Sequence, residues 1–430
     1  MHILVIGINY TPEKISVAPF TTGLCEHLAA QGNEVTAVTA FPYYPEWRIY
    51  DGYRGSLYRR ELINGVKVHR VAHYVPRKPS SLVQRLTYDI SFTLTSFIAA
   101  LFTRKCDIIY CSCPPPTVAF AAYLLGKLKR VPYVVKLTDL ASDAALATGI
   151  MEPGLAIRAA RIFEKFTYRK ALAVICLCQG FIDRLKERGV DEKKLLLIPD
   201  WGDTQNIRPC EDDFTFRRAS ELPREKFLVF HTGNMGKKQH LINVVEAAAL
   251  TSLEKDICWV LVGQGEERND LEREISRRSL GNIRMMPLQP VEMLRQMYGT
   301  AGLLLLNQAA ALEDAVIPSK LLTYMAAGRP VVGSVSEKSE AYRQIRLANC
   351  GVVVPAENPQ ALADAVVALR RNPALCKELG ANGRAYAEAH FTKARVLREY
   401  DDFFRSASLS VDAPETAKRG ASTMKWPDET

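Results

Sequence analysis

Apolar residues in this chain come in short runs, separated by polar turns and by segments where they recur every three or four positions. The first run, Met1-His-Ile-Leu-Val-Ile-Gly7, predicts a strand, and the spacing from Phe20 to Gln31 predicts a helix. Strands are expected next at Glu34 to Thr39, Asp107 to Cys111, Tyr133 to Leu137 and Ala171 to Leu177, with helices at Thr117 to Lys129 and Phe181 to Arg188. The turn-rich segment from Ile198-Pro-Asp-Trp-Gly-Asp203 to Glu211-Asp-Asp213 reads as a linker. The pattern then restarts: strands at Phe227 to Thr232, Cys258 to Val262, Ile283 to Met285, Gly302 to Leu306, Val331 to Ser334 and Gly351 to Val354, with a helix at Leu241 to Leu250. Strands alternating with helices imply parallel sheets covered on both faces.

The expectation is therefore an α/β chain with two Rossmann-like, doubly wound domains facing a central cleft, with the carboxyl ends of both sheets towards one ligand. Residues 1–200 form the first domain, 201–215 the linker and 216–383 the second. One amphipathic helix, Arg384 to Ser406, is expected to pack back across the domains, and the polar residues 407–430 to be a disordered tail.

At 430 residues, two domains of ordinary size are needed. The 48% hydrophobic and 24% charged residues exclude a disordered chain and one made of membrane spans. The opening apolar run is strand-length, so no secretory signal is expected and the chain should stay in the cytoplasm. Ile90 to Phe102 is the longest apolar stretch, 13 residues interrupted by Thr93, Thr95 and Ser96, whereas a span needs about 20. The ten cysteines are scattered, and Cys111-x-Cys113 and Cys176-x-Cys178 alternate as buried strand thiols do, which favours reduced thiols over a zinc site or disulfides. The net charge of +9 is uneven: residues 1–205 hold 26 Lys/Arg against 18 Asp/Glu, and the remainder 30 against 29. A basic first half suits nucleic acid, a phosphorylated substrate or an anionic membrane.

Four motifs carry candidate chemistry. Gly233-Asn-Met-Gly236-Lys237-Lys238 sits between a strand and a helix, where glycines let backbone approach a phosphate and free N–H groups with two ammonium groups attract it. A plain strand-to-helix turn explains the glycines equally well. Val262-Gly-Gln-Gly265-Glu266 closes the next strand with the same ambiguity, and Met286-Pro-Leu-Gln-Pro290 offers a rigid turn against a flat base. Ile317-Pro-Ser-Lys320 through Met325-Ala-Ala-Gly328 begins a helix with a hydroxyl and an ammonium group in its first turn. The bland alternative for Lys320 is a solvated lysine.

In this order the elements resemble the retaining family 4 glycosyltransferases of the two-Rossmann (GT-B) fold, along roughly residues 1–405. Ile6-Gly-Ile-Asn-Tyr-Thr-Pro-Glu13, Phe41-Pro-Tyr-Tyr-Pro-Glu-Trp47 and Asp51-Gly-Tyr-Arg-Gly55 are similar to bacterial exopolysaccharide enzymes of the colanic-acid type. Ile198 to Asp203 resembles the family's interdomain segment, and Pro318-Ser-Lys320 through Gly328 this subgroup's donor loop.

The resemblance implies a sugar moved from a nucleoside diphosphate to a lipid-linked or saccharide acceptor, with retention, no cofactor and no metal. It places Gly233, Asn234, Gly236, Lys237 and Lys238 at the diphosphate, and Gly263, Gly265, Glu266, Pro287 and Leu288 at the base and ribose. Ser319 and Lys320 would face the diphosphate or the sugar. Asp139, in Lys136-Leu-Thr-Asp139-Leu-Ala-Ser-Asp143, would orient the sugar or the acceptor hydroxyl, its alternative being a helix cap. Three positions depart from the family pattern: Ala315 and Thr323 where relatives carry paired glutamates, Ser16 where a glycine is usual, and Thr138 where a histidine is frequent.

A leaving diphosphate gathers negative charge, so fixed cations at Lys237, Lys238 and Lys320 would stabilise the transition state, and no Asp-x-Asp pair suggests a metal. A sugar-nucleotide epimerase with two such domains is the alternative enzyme. A nucleic-acid-binding protein accounts only for the basic charge, since no known binding module is present. Arg77, Lys78, Arg85, Arg104 and Lys105 flank a helix with apolar positions Leu82, Leu86, Ile90, Leu94, Phe97, Ile98 and Leu101. A core helix has this spacing too, but the +8 of the first half favours the inner membrane surface as a partner.

Overall fold

The computed structural model describes residues 1–78, 81–147, 151–312 and 319–412. The chain divides into two compact units, the first holding Met1–Pro199 and the chain from Leu397, the second Asp200–Val396.

In the first unit the elements run β1 (His2–Ile6), α1 (Ala18–Ala30), β2 (Glu34–Ala40), β3 (Tyr58–Ile63), β4 (Val66–Val71), α2 (Leu82–Leu101) and β5 (Ile108–Cys113). They continue as α3 (Thr117–Lys129), β6 (Tyr133–Leu137), α4 (Ala141–Ala147), α5 (Leu155–Lys170), β7 (Ala173–Cys176), α6 (Gln179–Glu187) and β8 (Leu195–Leu197). The eight strands lie in the order β3-β4-β2-β1-β5-β6-β7-β8, all parallel except the β3–β4 pair. That hairpin turns on Asn64 (φ 47°) and Gly65 (φ 82°), two adjacent left-handed residues that match the right-handed twist of paired strands. The sequence pattern gave no strand there, because β3 (YRRELI) is an exposed edge strand and its apolar residues do not form a run.

The second unit runs α7 (Thr215–Ala219), β9 (Phe227–Asn234), α8 (Ile242–Leu250), β10 (Ile257–Gln264), α9 (Arg268–Arg277), β11 (Ile283–Met286), α10 (Val291–Gly299) and β12 (Leu303–Asn307). It continues with α11 (Ser319–Ala327), β13 (Val331–Val335), α12 (Glu340–Leu347), β14 (Gly351–Pro355), α13 (Pro359–Arg370) and α14 (Pro373–His390). Its parallel sheet has the order β11-β10-β9-β12-β13-β14. Successive strand residues feed opposite cores: Leu228, Phe230, Leu304 and Leu306 pack on one face, Val229, Trp259, Leu303 and Leu305 on the other. Both faces being covered explains why these strands read as unbroken apolar runs.

Three boundaries differ from the sequence pattern. Residues 201–215 belong to the second unit: Gly202 packs against Leu322, and Arg384 donates to the carbonyls of Thr204 (3.1 Å) and Ile207 (2.9 Å). The single helix expected over Arg384 to Ser406 is two, α14 and α15 (Lys393–Asp412). The break is fixed at Phe391, whose carbonyl accepts the Gly202 N–H (2.8 Å) instead of continuing the helix. The tail expected from Ala407 is helical to Asp412, and residues 413–430 lie outside the described ones. In the first unit α15 is anchored by Tyr400 to Tyr110 (hydroxyls 3.3 Å apart) and by Asp401 to His27 (2.9 Å).

Candidate functional site

The glycine loops of the second unit sit at the carboxyl ends of neighbouring parallel strands. β9 and β10 stay paired to their last residues, Gly233 opposite Gly263 and Asn234 opposite Gln264. A Cβ on Gly263 would meet the Gly233 carbonyl oxygen at 1.9 Å, and one on Gly265 would meet the Met235 carbonyl oxygen at 2.2 Å. These two glycines are therefore required by the packing of one loop on the other, whatever else they border. Gly233 has φ 114°, a conformation open to glycine, and a side chain there would point at the Lys320 ammonium, 3.6 Å away. That places the Gly233 turn directly beside Lys320.

Lys320 is brought there by α11. Tyr324, one turn further along that helix, has a fully buried hydroxyl that accepts the Thr232 N–H (3.0 Å) and bonds the Thr232 hydroxyl (3.1 Å). This ties α11 to the last residues of β9. The Lys320 ammonium donates to Gln239 Oε1 (3.0 Å) and faces His231 Nε2 (3.4 Å). Among the described residues no carboxylate pairs with it. Loss of solvation lowers the ammonium's pKa to about 7, so its charged form is the less well solvated state here.

His231 escaped the sequence reading, because a histidine in an apolar strand reads as core. It is fully buried, its Nδ1 lies 3.3 Å from the Leu305 carbonyl, and burial together with the Lys320 charge holds its pKa well below the usual range. The neutral ring with its proton on Nδ1 presents Nε2 to Lys320 as an acceptor. Gln239 is held in turn by Asn307, at the end of β12, whose amide donates to the carbonyls of Gln239 (2.7 Å) and His240 (3.0 Å). Arg268 is a further residue the sequence did not mark. It donates to the carbonyls of Gly263 and Met286 and so fixes the two turns that precede Glu266 and Pro287.

The remaining predicted donor residues line the same edge. Asn234, Lys237, Glu266, Pro287, Leu288 and Ser319 are exposed, and Lys238 is half-buried. Gly236 opens the short helical turn Lys237–Gln239 and stands close to the Asn234 amide. Neither Lys237 nor Lys238 makes an ion pair among the described residues. Ala315, Ile317 and Pro318 lie outside the described residues; Thr323 is half-buried on α11.

In the first unit the organising residue is Glu13, which the sequence offered only as part of a motif. It is 4% exposed, and its carboxylate accepts from the Asn9 amide (2.9 Å) and from the backbone N–H groups of Tyr10 (3.3 Å), Tyr43 (2.9 Å) and Tyr44 (2.8 Å). One buried carboxylate thereby joins the loop after β1 to the loop after β2. Burial raises its pKa, and the four donors oppose that shift. Ser16, in the place of an expected glycine, has φ 63°, so the backbone keeps the left-handed geometry without the glycine.

Asp139 follows β6 and is half-buried. The first turn of α4 closes from the Leu140 carbonyl to the Ala144 N–H (2.8 Å), so Leu140 holds the cap position and Asp139 stands one residue outside it. Thr138 turns its hydroxyl back onto the Cys113 carbonyl (2.8 Å). Asp143, from the same motif, is structural: it is buried and paired with Arg161 (2.8 Å), Arg184 (3.5 Å) and Arg188, which lock α4 onto α5 and α6. Of the five flanking basic residues, Arg77, Lys78, Arg104 and Lys105 are exposed and Arg85 is half-buried.

Comparison with known proteins agrees with this fold. Residues 17–201 match the model of a glycosyl transferase 4-like domain, and residues 212–386 that of the glycosyl transferases group 1. A putative colanic acid biosynthesis glycosyl transferase, WcaI of Escherichia coli, is 32% identical over 411 residues, 93% of this chain and 98% of that one. Among solved structures, a sucrose-phosphate synthase from Thermosynechococcus elongatus superposes with a TM-score of 0.74 at 18% identity, over 95% of this chain and 99% of that one. Anabaena HepE in complex with UDP superposes at 0.69 and 15% identity, over 94% of this chain and all of that one.

Proposed function

We infer the reaction from one premise: the chain belongs to family 4 of the GT-B glycosyltransferases, in the group of the colanic-acid exopolysaccharide enzymes. It is a sugar-transferring enzyme. We propose that its donor is a nucleoside diphosphate sugar held by the second unit, and that the sugar passes with retention to a lipid-linked or saccharide acceptor at the cytoplasmic membrane surface. HepE binds UDP on the same fold, which supports the nucleotide part of this reading.

The observation that carries the proposal is Lys320: a half-buried ammonium without a carboxylate among the described residues, standing beside the Gly233 turn. As the glycosidic bond to the diphosphate breaks, the anomeric carbon gains positive character and negative charge grows on the leaving oxygens. A cation already in place, braced by Gln239 and His231, stabilises that charge without reorganising. Lys237 and Lys238, at the start of the short turn, add to the positive field. These cations supply the neutralisation that a metal provides elsewhere, and in this proposal no metal is required. The acceptor hydroxyl attacks from the face the diphosphate leaves, with Asp139 orienting the sugar or that hydroxyl.

A donor screen tests the whole of this. Purified protein, given uridine and guanosine diphosphate sugars with an extracted lipid-linked acceptor, should release nucleoside diphosphate with at least one donor, with and without a chelator. Proton spectra of the first turnovers should show the product anomer unchanged from the donor. Inverted product, or release only with added metal, would overturn the corresponding part.

A further inference from the structure

We propose that α2, α3 and α5 together form one docking face for an anionic lipid bilayer, wider than the single helix marked by the sequence. The inference deepens the membrane-surface reading of the enzyme and rests on it.

The helices are physically continuous. Thr93 of α2 and Thr117 of α3 bring their hydroxyls within 2.6 Å, and the Lys129 ammonium caps the far end of α2 at the Leu101 (3.1 Å) and Thr103 (3.0 Å) carbonyls. Phe120 of α3 packs on Phe163 of α5, and Tyr123 on Phe166, with ring centroids 5.4 and 5.2 Å apart.

On α2 the side buried beneath the helix is Tyr88, Phe92, Ser96 and Ala100, at every fourth residue. The large aliphatic residues are turned the other way: Val83, Leu86, Ile90, Leu94 and Ile98 are all exposed, and Phe102 just beyond the helix is 77% exposed. α2 thus packs on the core through one side and leaves this aliphatic stripe outside it. α3 adds exposed Leu124 and Leu128; α5 adds Leu155 at 82%, Ile162 at 68% and Phe166. Scattered exposed leucines need no explanation, but a connected set on three touching helices marks an interaction surface.

Charge decides the occupant. The three helices hold eight lysines and arginines against two acids. Neither acid is exposed: Glu164 is buried and bound by Ser142 (2.7 Å), and Asp89 is half-buried in the helix. Arg158, Arg169, Lys170 and Lys127 are exposed, with Arg104, Lys105 and Arg130 just past the helix ends. A second copy docking here about a two-fold axis would set cations against cations. An anionic bilayer instead accepts the aliphatic side chains among its acyl chains and the cations among its headgroups.

Co-sedimentation of the full chain with vesicles of phosphatidylglycerol and phosphatidylethanolamine tests the width of the face. Leu94→Gln with Ile98→Gln on α2, and separately Leu155→Gln with Ile162→Gln on α5, should each weaken binding at least about tenfold, the scale of removing two buried aliphatic groups. Wild-type binding should fall with salt and with neutral phosphatidylcholine, while release of nucleoside diphosphate to a soluble saccharide acceptor stays unchanged in both pairs. If the α2 pair loses binding and the α5 pair does not, the three-helix face is overturned and the membrane reading stands. If wild type ignores anionic vesicles altogether, both fall. A dimer in sedimentation velocity that either pair dissolves would assign the face to a second copy and overturn the lipid.

Discussion

The two units differ in how their buried and half-buried charges are partnered. In the second, the half-buried Lys320 has Gln239 and His231 beside it but no carboxylate among the described residues, while the buried Arg217 is paired with Asp212. In the first, Glu13 is held by backbone N–H groups, Asp143 by arginines and Arg70 by Glu61, and the surface of α2 is aliphatic. The same layered architecture therefore serves two ends. The proposal gives the Lys320 ammonium an anionic ligand, whereas the carboxylates of Glu13 and Asp143 have their partners within the chain and hold loops and helices still.

The largest effect follows from removing the cation that has no carboxylate beside it among the described residues. Lys320→Ala should lower turnover by about two to three orders of magnitude, the scale of one charge-stabilising donor at a leaving group. Its thermal unfolding should change far less, since the loss of the donor to His231 Nε2 and Gln239 is offset by removal of a poorly solvated charge. Steady-state kinetics beside calorimetry would show the split; full activity in a folded variant would remove Lys320 from the site.

Glu13→Ala should do the reverse, destabilising the fold by about 3 kcal/mol as four donors lose one acceptor. The second unit should still bind nucleoside diphosphate while the protein stays folded. Equal thermal midpoints for variant and wild type would show that the loops after β1 and β2 are held otherwise.

Asp139→Asn should reduce turnover roughly tenfold or more, within the range for groups acting on a reacting hydroxyl. Nucleotide affinity should persist, because the proposal puts the donor contacts on the second unit. A variant that lost stability and kept its turnover would make Asp139 a structural residue.

Smallest is Ser16→Gly, which should stabilise by about 0.5 kcal/mol, as relief of the left-handed backbone outweighs glycine's greater freedom when unfolded. A loss of stability would mean that the Ser16 side chain makes a contact of its own.

Legibility in the sequence followed the same division. Buried parallel strands such as β12, four leucines in a row, announce themselves, as do glycine turns between strand and helix. β3 does not, since its side chains alternate between solvent and a shallow edge; only Asn64-Gly65 signalled the hairpin. α5 carries five basic residues interleaved with six large apolar or aromatic ones, so no unbroken apolar run marks it. At the candidate site Lys320 was legible because helix, hydroxyl and lysine are adjacent in sequence. His231, Gln239 and Arg268 were not, because each acts through a partner brought near by folding alone: Lys320 from 89 residues away, Met286 from across a strand.

The central claim is that Lys320 is a half-buried cation held ready for the leaving diphosphate, and proton linkage tests it most directly. In the empty enzyme its pKa is about 7; a bound diphosphate would restore the charged form, so binding above that pH must take up a proton. Titration calorimetry with the productive nucleoside diphosphate, from pH 6 to pH 9 in buffers of different ionisation enthalpy, should show affinity falling by up to about tenfold per unit above pH 7 with proton uptake. In Lys320→Ala the affinity should be lower and flat over the same range. Parallel pH profiles in the two proteins, without proton uptake in either, would contradict the account.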